Sequence, residues 1–136
     1  MHFFQWNDSL SVDEPRIDED HQVLIALIDE LHQATQGGED YLHLVQIFNK
    51  LITHTRSHFQ HEEAIMESIN YHGLKDHQLQ HQHLLERITD LGHALENARE
   101  LVAVEAAELL RFWLNSHILL SDKDMVNAFH QTQVIT

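Results

Sequence analysis

The segment VQIFNKLITHTRSHFQHEEAIMESI, residues 45–69, decides the fold of this chain. Both of its ends repeat apolar residues at steps of three and four, the pattern of an amphipathic helix that faces a core. Continued through the middle, the same face reaches His58 and Glu62. Burying an ionisable group without a partner is costly. Either the helix is exposed there, or the interior holds a partner for these two side chains.

Composition narrows the class of protein. The 136 residues predict one domain, large enough to bury a core without disulfides. The chain has no cysteine, which excludes thiolate metal sites, iron–sulfur clusters and cysteine nucleophiles. A net charge of −14 argues against nucleic acid and anionic membranes as partners. The start does not resemble a signal peptide, and no apolar run is long enough to span a bilayer. We therefore expect a soluble, cytoplasmic protein without membrane insertion.

One proline and four glycines predict a strongly helical chain. Breakers and apolar periodicity predict four long helices, at about Pro15 to Gly37–Gly38, Asp40 to Asn70, Leu74 to Asn97, and Leu101 to Leu120. Their short connections predict an all-α fold, an up-down-up-down antiparallel four-helix bundle with an N-terminal arm. Residues 121–124 are expected to interrupt the helical pattern, and a short C-terminal helix is expected near residues 125–132.

The inward face of each predicted helix is apolar except for one patch that contains histidine. The four faces read Ile17, His21, Leu24, Ile28, Leu31, Thr35; Leu44, Phe48, Leu51, Thr55, His58, Glu62, Ile65, Ile69; Leu74, His77, His81, Leu84, Ile88, Leu91, Leu95; and Ala103, Ala106, Leu110, Trp113, His117, Leu120. The patches lie alternately early and late in successive helices. Because successive helices run in opposite directions, all four patches are expected at the same end of the bundle.

Five imidazoles and a carboxylate at one level predict a metal centre. A lone histidine on an apolar face is more often a satisfied core residue, and a metal-free polar cluster is the alternative here. A buried carboxylate nevertheless needs a cation, and burial opposes protonating several histidines together. The donors outnumber those of one four-coordinate zinc and are too rich in nitrogen for calcium or magnesium. Iron fits, as do manganese, copper and nickel, and two ions sharing carboxylates fit the ligand count best.

The chain resembles the hemerythrin family, especially its bacterial members. The matching segments are WNDSLSVDEPRIDEDHQ (6–22), HFQHEEAIM (58–66), HQLQH (77–81) and WLNSHILLSD (113–122). The resemblance implies that residues 1–136 form one hemerythrin-like domain with two non-haem iron ions. It implies that one iron is held by His77, His81 and His117, and the other by His21 and His58. It also implies that the ions share an oxo or hydroxo bridge and the carboxylates of Glu62 and Asp122. Dioxygen would bind at the position left open on the two-histidine iron.

Residues next to the implied ligands are predicted to wall the oxygen pocket, although each also suits ordinary core packing: Phe59, Trp113, Leu114 and Ile118. His54, one helical turn before His58, is the rival ligand, but its neighbour Thr55 takes the inward position. Glu63 matches the second glutamate of the family and is expected to be solvated or in a surface ion pair.

The resemblance implies reversible dioxygen binding, for storage, delivery or scavenging, and no enzymatic activity. The alternative is an oxygen- or redox-sensing input domain, fused to or interacting with the output domain of a bacterial signalling protein such as a diguanylate cyclase or a chemoreceptor. Reduction of peroxide or nitric oxide is a third hypothesis, which sustained turnover with a reductant would favour.

Overall fold

The computed structural model describes residues 2–37, 41–95, 97 and 99–135. Its main elements are α1 (Pro15–Gln36), α2 (Tyr41–Ser68), α3 (Leu74–Ala94), α4 (Arg99–His117), a π-helical turn (Ile118–Asp122) and α5 (Lys123–Ile135). A short 3₁₀ turn, Asp8–Leu10, lies in the N-terminal arm. The described residues contain no strand, and the all-α prediction is confirmed. Gly38 and Asp40, expected at helix boundaries, lie outside the described residues.

The four long helices form a closed ring. Helix α1 packs against α2 and α4, and α3 packs against the same two helices. The predicted up-down-up-down bundle is confirmed. Its core consists of fully buried aliphatic side chains such as Ile28, Leu51 and Ile88, and burying each contributes about 1.5–3 kcal/mol. None of the described helices combines the length and apolarity needed to cross a membrane.

Local chemistry explains where α1 begins and where α2 ends. Pro15 occupies the first turn of α1, where a backbone N–H would have no partner in the helix. After α2, Asn70 adopts a φ of 51°, a left-handed conformation that asparagine tolerates. The N–H of Tyr71 then donates to the carbonyl of Met66 at 2.9 Å. A Cβ atom at position 73 would lie 2.8 Å from the Tyr71 ring, so Gly73 lets this ring fold over the turn.

The N-terminal arm is held by a buried carboxylate on α1. Asp29 accepts hydrogen bonds from the backbone N–H groups of Phe3 at 2.7 Å and Phe4 at 3.0 Å. The Phe3 ring stacks on the His32 ring at a centroid distance of 3.9 Å. The guanidinium of Arg111 also lies over the Phe3 ring, 4.0 Å from its centroid. These contacts anchor the arm to both α1 and α4.

The end of the fourth helix differs from the prediction. Residues 121–124 do not interrupt the helix, because a π turn carries the chain directly into α5. The wider turn changes which side chains face inward. Leu120, predicted on the inward face, is 70% exposed, whereas Asp122 is completely buried. The C-terminal helix is present and longer than expected, at Lys123–Ile135.

Candidate metal centre

The seven predicted ligands are all buried at one end of the bundle: His21, His58, Glu62, His77, His81, His117 and Asp122. Their donor atoms form two groups, and within each group all atoms lie within 4.8 Å of one another. One group is Glu62, His77, His81, His117 and Asp122, and the other is His21, His58, Glu62 and Asp122. The rival ligand His54 is exposed and belongs to neither group. We call these sets the three-histidine group and the two-histidine group.

Glu62 belongs to both groups because its two oxygens face different histidines. Its Oε1 lies 3.1 Å from Nε2 of His81 and 3.2 Å from Nε2 of His77. Its Oε2 lies 2.6 Å from Nε2 of His58 and 3.4 Å from Nε2 of His21. This division is the geometry expected of a carboxylate that bridges two cations.

Asp122 divides its oxygens in the same way. Its Oδ1 lies 3.1 Å from Nε2 of His77 and 3.2 Å from Nε2 of His117. Its Oδ2 lies 3.0 Å from Nε2 of His21. The π turn produces this arrangement, because in an α-helix the residue five positions after His117 would point roughly 140° away from it. The two carboxylates therefore connect the two groups.

Three of the histidines have their outer ring nitrogen bound to an oxygen that can only accept. The pairs are His58 Nδ1 with Asp20 Oδ2 at 3.0 Å, His81 Nδ1 with Glu63 Oε2 at 3.0 Å, and His117 Nδ1 with Gln80 Oε1 at 2.9 Å. Each Nδ1 therefore carries the hydrogen, and a neutral ring then directs the Nε2 lone pair into the cluster. Such outer partners fix the orientation of metal-binding imidazoles.

The inner atoms fit metal ions better than they fit each other. Nε2 of His117 lies 2.9 Å from Nε2 of His77 and 3.1 Å from Nε2 of His81, so lone pairs of neutral rings converge. Both ring nitrogens of His21 and both carboxylate oxygens of Asp122 are buried without a hydrogen bond in acceptable geometry. Buried polar atoms are rarely left in this way. Cations between these donors would satisfy them together, so the residues fit the implied metal pair.

Without a metal, protons would balance the buried carboxylates. Burial opposes the charge on His58, but the Glu62 carboxylate and the hydrogen bond to Asp20 raise its pKa to about 10. Burial also opposes the charge on His77, but the nearby carboxylates of Asp122, at 3.1 Å, and Glu62, at 3.2 Å, raise its pKa to about 9. Burial raises the pKa of Glu62, but nearby histidines, His58 foremost, lower it overall. Burial and the charge of Glu62 raise the pKa of Asp122, but His117 and His21 lower it overall. Metal ions must therefore displace protons from this site.

Three residues of the site were not predicted from the sequence: Asp20, Glu63 and Gln80. The expectation that Glu63 is solvated or in a surface pair is wrong, because its carboxylate binds His81 and the Gln78 amide. Asp20 also accepts from the exposed His61 at 3.0 Å. Although burial raises the pKa of Asp20, the two histidines lower it to about 2. Each of these three residues directly adjoins a predicted ligand in the sequence, and this adjacency was the one feature that could have indicated them.

Aromatic rings cover the apolar side of the three-histidine group. The Phe59 ring stacks on His81 at 3.7 Å with an interplanar angle of 2°, and Trp113 stacks on His117 at 4.2 Å with an angle of 16°. Leu114 and Ile118 are buried. Beyond the rings lies a cavity of about 10 Å³ lined by Phe59, Trp113, Leu114 and residues of all four long helices. Ile118 does not line this cavity.

Comparisons with known proteins agree with this geometry. The family model described as "Hemerythrin HHE cation binding domain" matches residues 14–129. A bacteriohemerythrin of Pseudomonas aeruginosa is 32% identical over 123 residues, which cover 90% of this chain and 79% of that protein. A myohemerythrin of Theromyzon tessulatum is 26% identical and covers 88% of each chain. A crystal structure of a hemerythrin mutant superposes with a TM-score of 0.87 at 21% identity, covering 95% of this chain and 98% of that one.

Proposed function

The chain belongs to the hemerythrin family, and from this premise we propose that it binds dioxygen reversibly at two iron ions held among its four long helices. The observation that carries the proposal is the division of each buried carboxylate between two histidine groups. Glu62 and Asp122 each direct one oxygen to the three-histidine group and the other to the two-histidine group. A single cation would not require both carboxylates to be divided in this way.

The proposed ligands follow from the two groups. We propose that His77, His81 and His117 hold one iron and that His21 and His58 hold the other. Glu62 and Asp122 would connect the ions, together with an oxo or hydroxo bridge. Imidazole with carboxylate is a donor set that suits iron, and the chain has no thiolate to draw softer metals. When bound, an iron pair of this kind supplies two electrons that dioxygen can take up and return.

The protein's own residues favour binding over turnover. The outer partners keep the imidazoles oriented, so that the inner nitrogens remain ligands and not proton donors. On the other side, Phe59, Trp113 and Leu114 form an apolar wall whose cavity is near the smallest size that admits one water molecule. Excluding water slows irreversible oxidation, and an apolar wall offers no general acid for turnover. The wall therefore supports binding of a small neutral gas.

The test is anaerobic loading with ferrous iron, quantification of the iron, and cycles of air exposure and deoxygenation followed by absorption spectroscopy. We expect two iron ions per chain and a dioxygen-dependent spectrum that reverses when the gas is removed. His54→Ala is the matched control, because this histidine is exposed and lies outside both groups. An iron content near one per chain, or a spectrum that never reverses, would refute the proposal.

A sensing role would use the same site. The observation in its favour is that Asp122 lies in the π turn that runs directly into α5, so a change at the centre has a helical connection outward. Hydrogen exchange measured with and without dioxygen tests this role, since sensing requires α5 to change protection. Equal protection in both states would leave binding as the function. The cytoplasmic location also remains a prediction.

A further inference from the structure

The π turn at Ile118–Asp122 has an unusual side-chain anchor. Isolated π turns are rare and tend to occur at functional sites. Here the turn brings Asp122 below His117, with its Oδ1 3.2 Å from Nε2 of His117. An α-helical continuation would direct Asp122 away from the cluster. Contacts outside the turn must therefore favour the π form over the ordinary helix.

Gln80 on α3 supplies such contacts at both ends of the turn. Its Oε1 accepts a hydrogen bond from Nδ1 of His117 at 2.9 Å and another from the hydroxyl of Ser121 at 2.8 Å. His117 directly precedes the turn and Ser121 directly precedes Asp122. One amide oxygen thus ties the beginning and the end of the turn to the helix that carries His77 and His81.

The chemistry at Gln80 also differs from that of the other two outer partners. His58 and His81 donate to the carboxylates of Asp20 and Glu63, whereas His117 donates to a neutral amide. A carboxylate would bind His117 more strongly but would add another negative charge near Glu62 and Asp122. The amide therefore performs the geometric task without that charge.

We infer that Gln80 is a positioning residue that holds the π turn in register, so that Asp122 can share its oxygens between the two histidine groups. The inference rests on the proposed di-iron function and deepens it. Gln80 acts through His117 and Ser121 and touches no metal itself. Its carbonyl oxygen, and not its NH₂ group, is the part that matters.

The experiment is a titration of the metal-free full chain with Co²⁺, which reports affinity and stoichiometry without any dioxygen chemistry. We expect Gln80→Leu to weaken Co²⁺ binding about tenfold, the lower end of what the loss of an outer partner costs. Gln80→Glu keeps an acceptor oxygen and should remain within about threefold of the wild type. Gln82→Leu, an exposed position two residues further along α3, is the matched control and should change nothing.

A second measurement separates positioning from general destabilisation. In the Co²⁺-loaded protein, the ring N–H of His117 should give a paramagnetically shifted proton signal that exchanges slowly with water. We expect the signal to persist in Gln80→Glu and to be lost by fast exchange in Gln80→Leu. Ser121→Ala should weaken binding less than Gln80→Leu does, since it removes only one of the two bonds.

The outcomes distinguish the inference from the function on which it rests. Fewer than two Co²⁺ per wild-type chain would contradict the proposed metal pair. Two Co²⁺ in the wild type with unchanged affinity and an unchanged His117 signal in Gln80→Leu would overturn the role of Gln80 alone. Equal losses in Gln80→Leu and Gln80→Glu would also overturn it, because the carbonyl oxygen would then not be the active part.

Discussion

Metal binding by the metal-free protein is expected to release protons, and counting them tests the site directly. Burial opposes the charge on His58, but Glu62 and Asp20 raise its pKa to about 10. Burial likewise opposes the charge on His77, but Asp122 and Glu62 raise its pKa to about 9. Both rings are therefore protonated near neutral pH, and each must lose its proton before its nitrogen can bind a metal ion.

The magnitude follows from these two values. Releasing at least these two protons makes the combined dissociation constant of the two ions fall at least about 100-fold for each unit rise in pH, because each proton contributes a factor of about ten. Burial opposes the charge on His21 and His117 as well, but Asp122 and Glu62 raise both pKa values, so protons released from these rings add to the slope. Stability of the metal-free fold has the opposite sign. The raised pKa values stabilise it fully below the ordinary histidine value of ~6.5, and this contribution is lost as pH rises through both folded values.

The assay is isothermal titration calorimetry with Co²⁺ in two buffers of different ionisation enthalpy, at pH about 7 and about 8, below both folded pKa values. The difference in heat between buffers gives the number of protons released. The His54→Ala variant should match the wild type, because this residue is exposed and outside the cluster. Release of less than one proton per chain, or an affinity independent of pH, would refute the reasoning about buried charge at this site.

Three further changes are expected to have distinct effects. His117→Ala should lower the iron content measured by elemental analysis from two ions to about one per chain, because it removes one of three imidazoles from a single ion. His54→Ala is the control, and full iron occupancy in His117→Ala would contradict the ligand assignment. Trp113→Ala should speed oxidation of the ferrous protein, since the ring that covers His117 helps to exclude water, and an unchanged rate would mean that the ring only packs. Asp29→Asn should cost about 2 kcal/mol of unfolding free energy in urea near neutral pH, because it weakens charge-assisted bonds to the arm. Burial raises the pKa of Asp29, but hydrogen bonds from the arm lower it overall. Its contribution is therefore fully present above the unfolded value of ~3.9 and is lost as the pH falls through the lower folded value. A difference from the exposed control Asp124→Asn that does not shrink as the pH falls would count against this account.

The helices and the level of the site were predictable because both depend on spacing along the chain. His58 and Glu62 lie on the face set by Leu51, and the neighbouring helix carries His77 and His81 one turn apart. An apolar face must be buried whatever its partner is, so these side chains were bound to point inward. The short connections then required opposite helix directions, which brought early residues of one helix to late residues of the next.

The outer partners were not predictable in the same way. Glutamate is usually a surface residue. Nothing next to Glu63 in the sequence distinguishes a solvated carboxylate from one that binds His81. The distinction depends on how closely α2 and α3 approach and how they are rotated. These two quantities arise from packing of side chains that are distant in sequence.

The sequence by itself determined most of the buried face of each helix, with Leu120 as an exception, because helical periodicity and the cost of exposing apolar surface act locally and strongly. Only the tertiary structure decided the backbone path that brings Asp122 to the other buried donors. The π turn at Ile118–Asp122 is bound across the bundle, because His117 and Ser121 both donate hydrogen bonds to Gln80 on α3. The family resemblance implied Asp122 as a ligand, but spacing along an α-helix would direct it away from His117. The π turn that brings it inward is held by contacts across the bundle, which only the folded molecule shows.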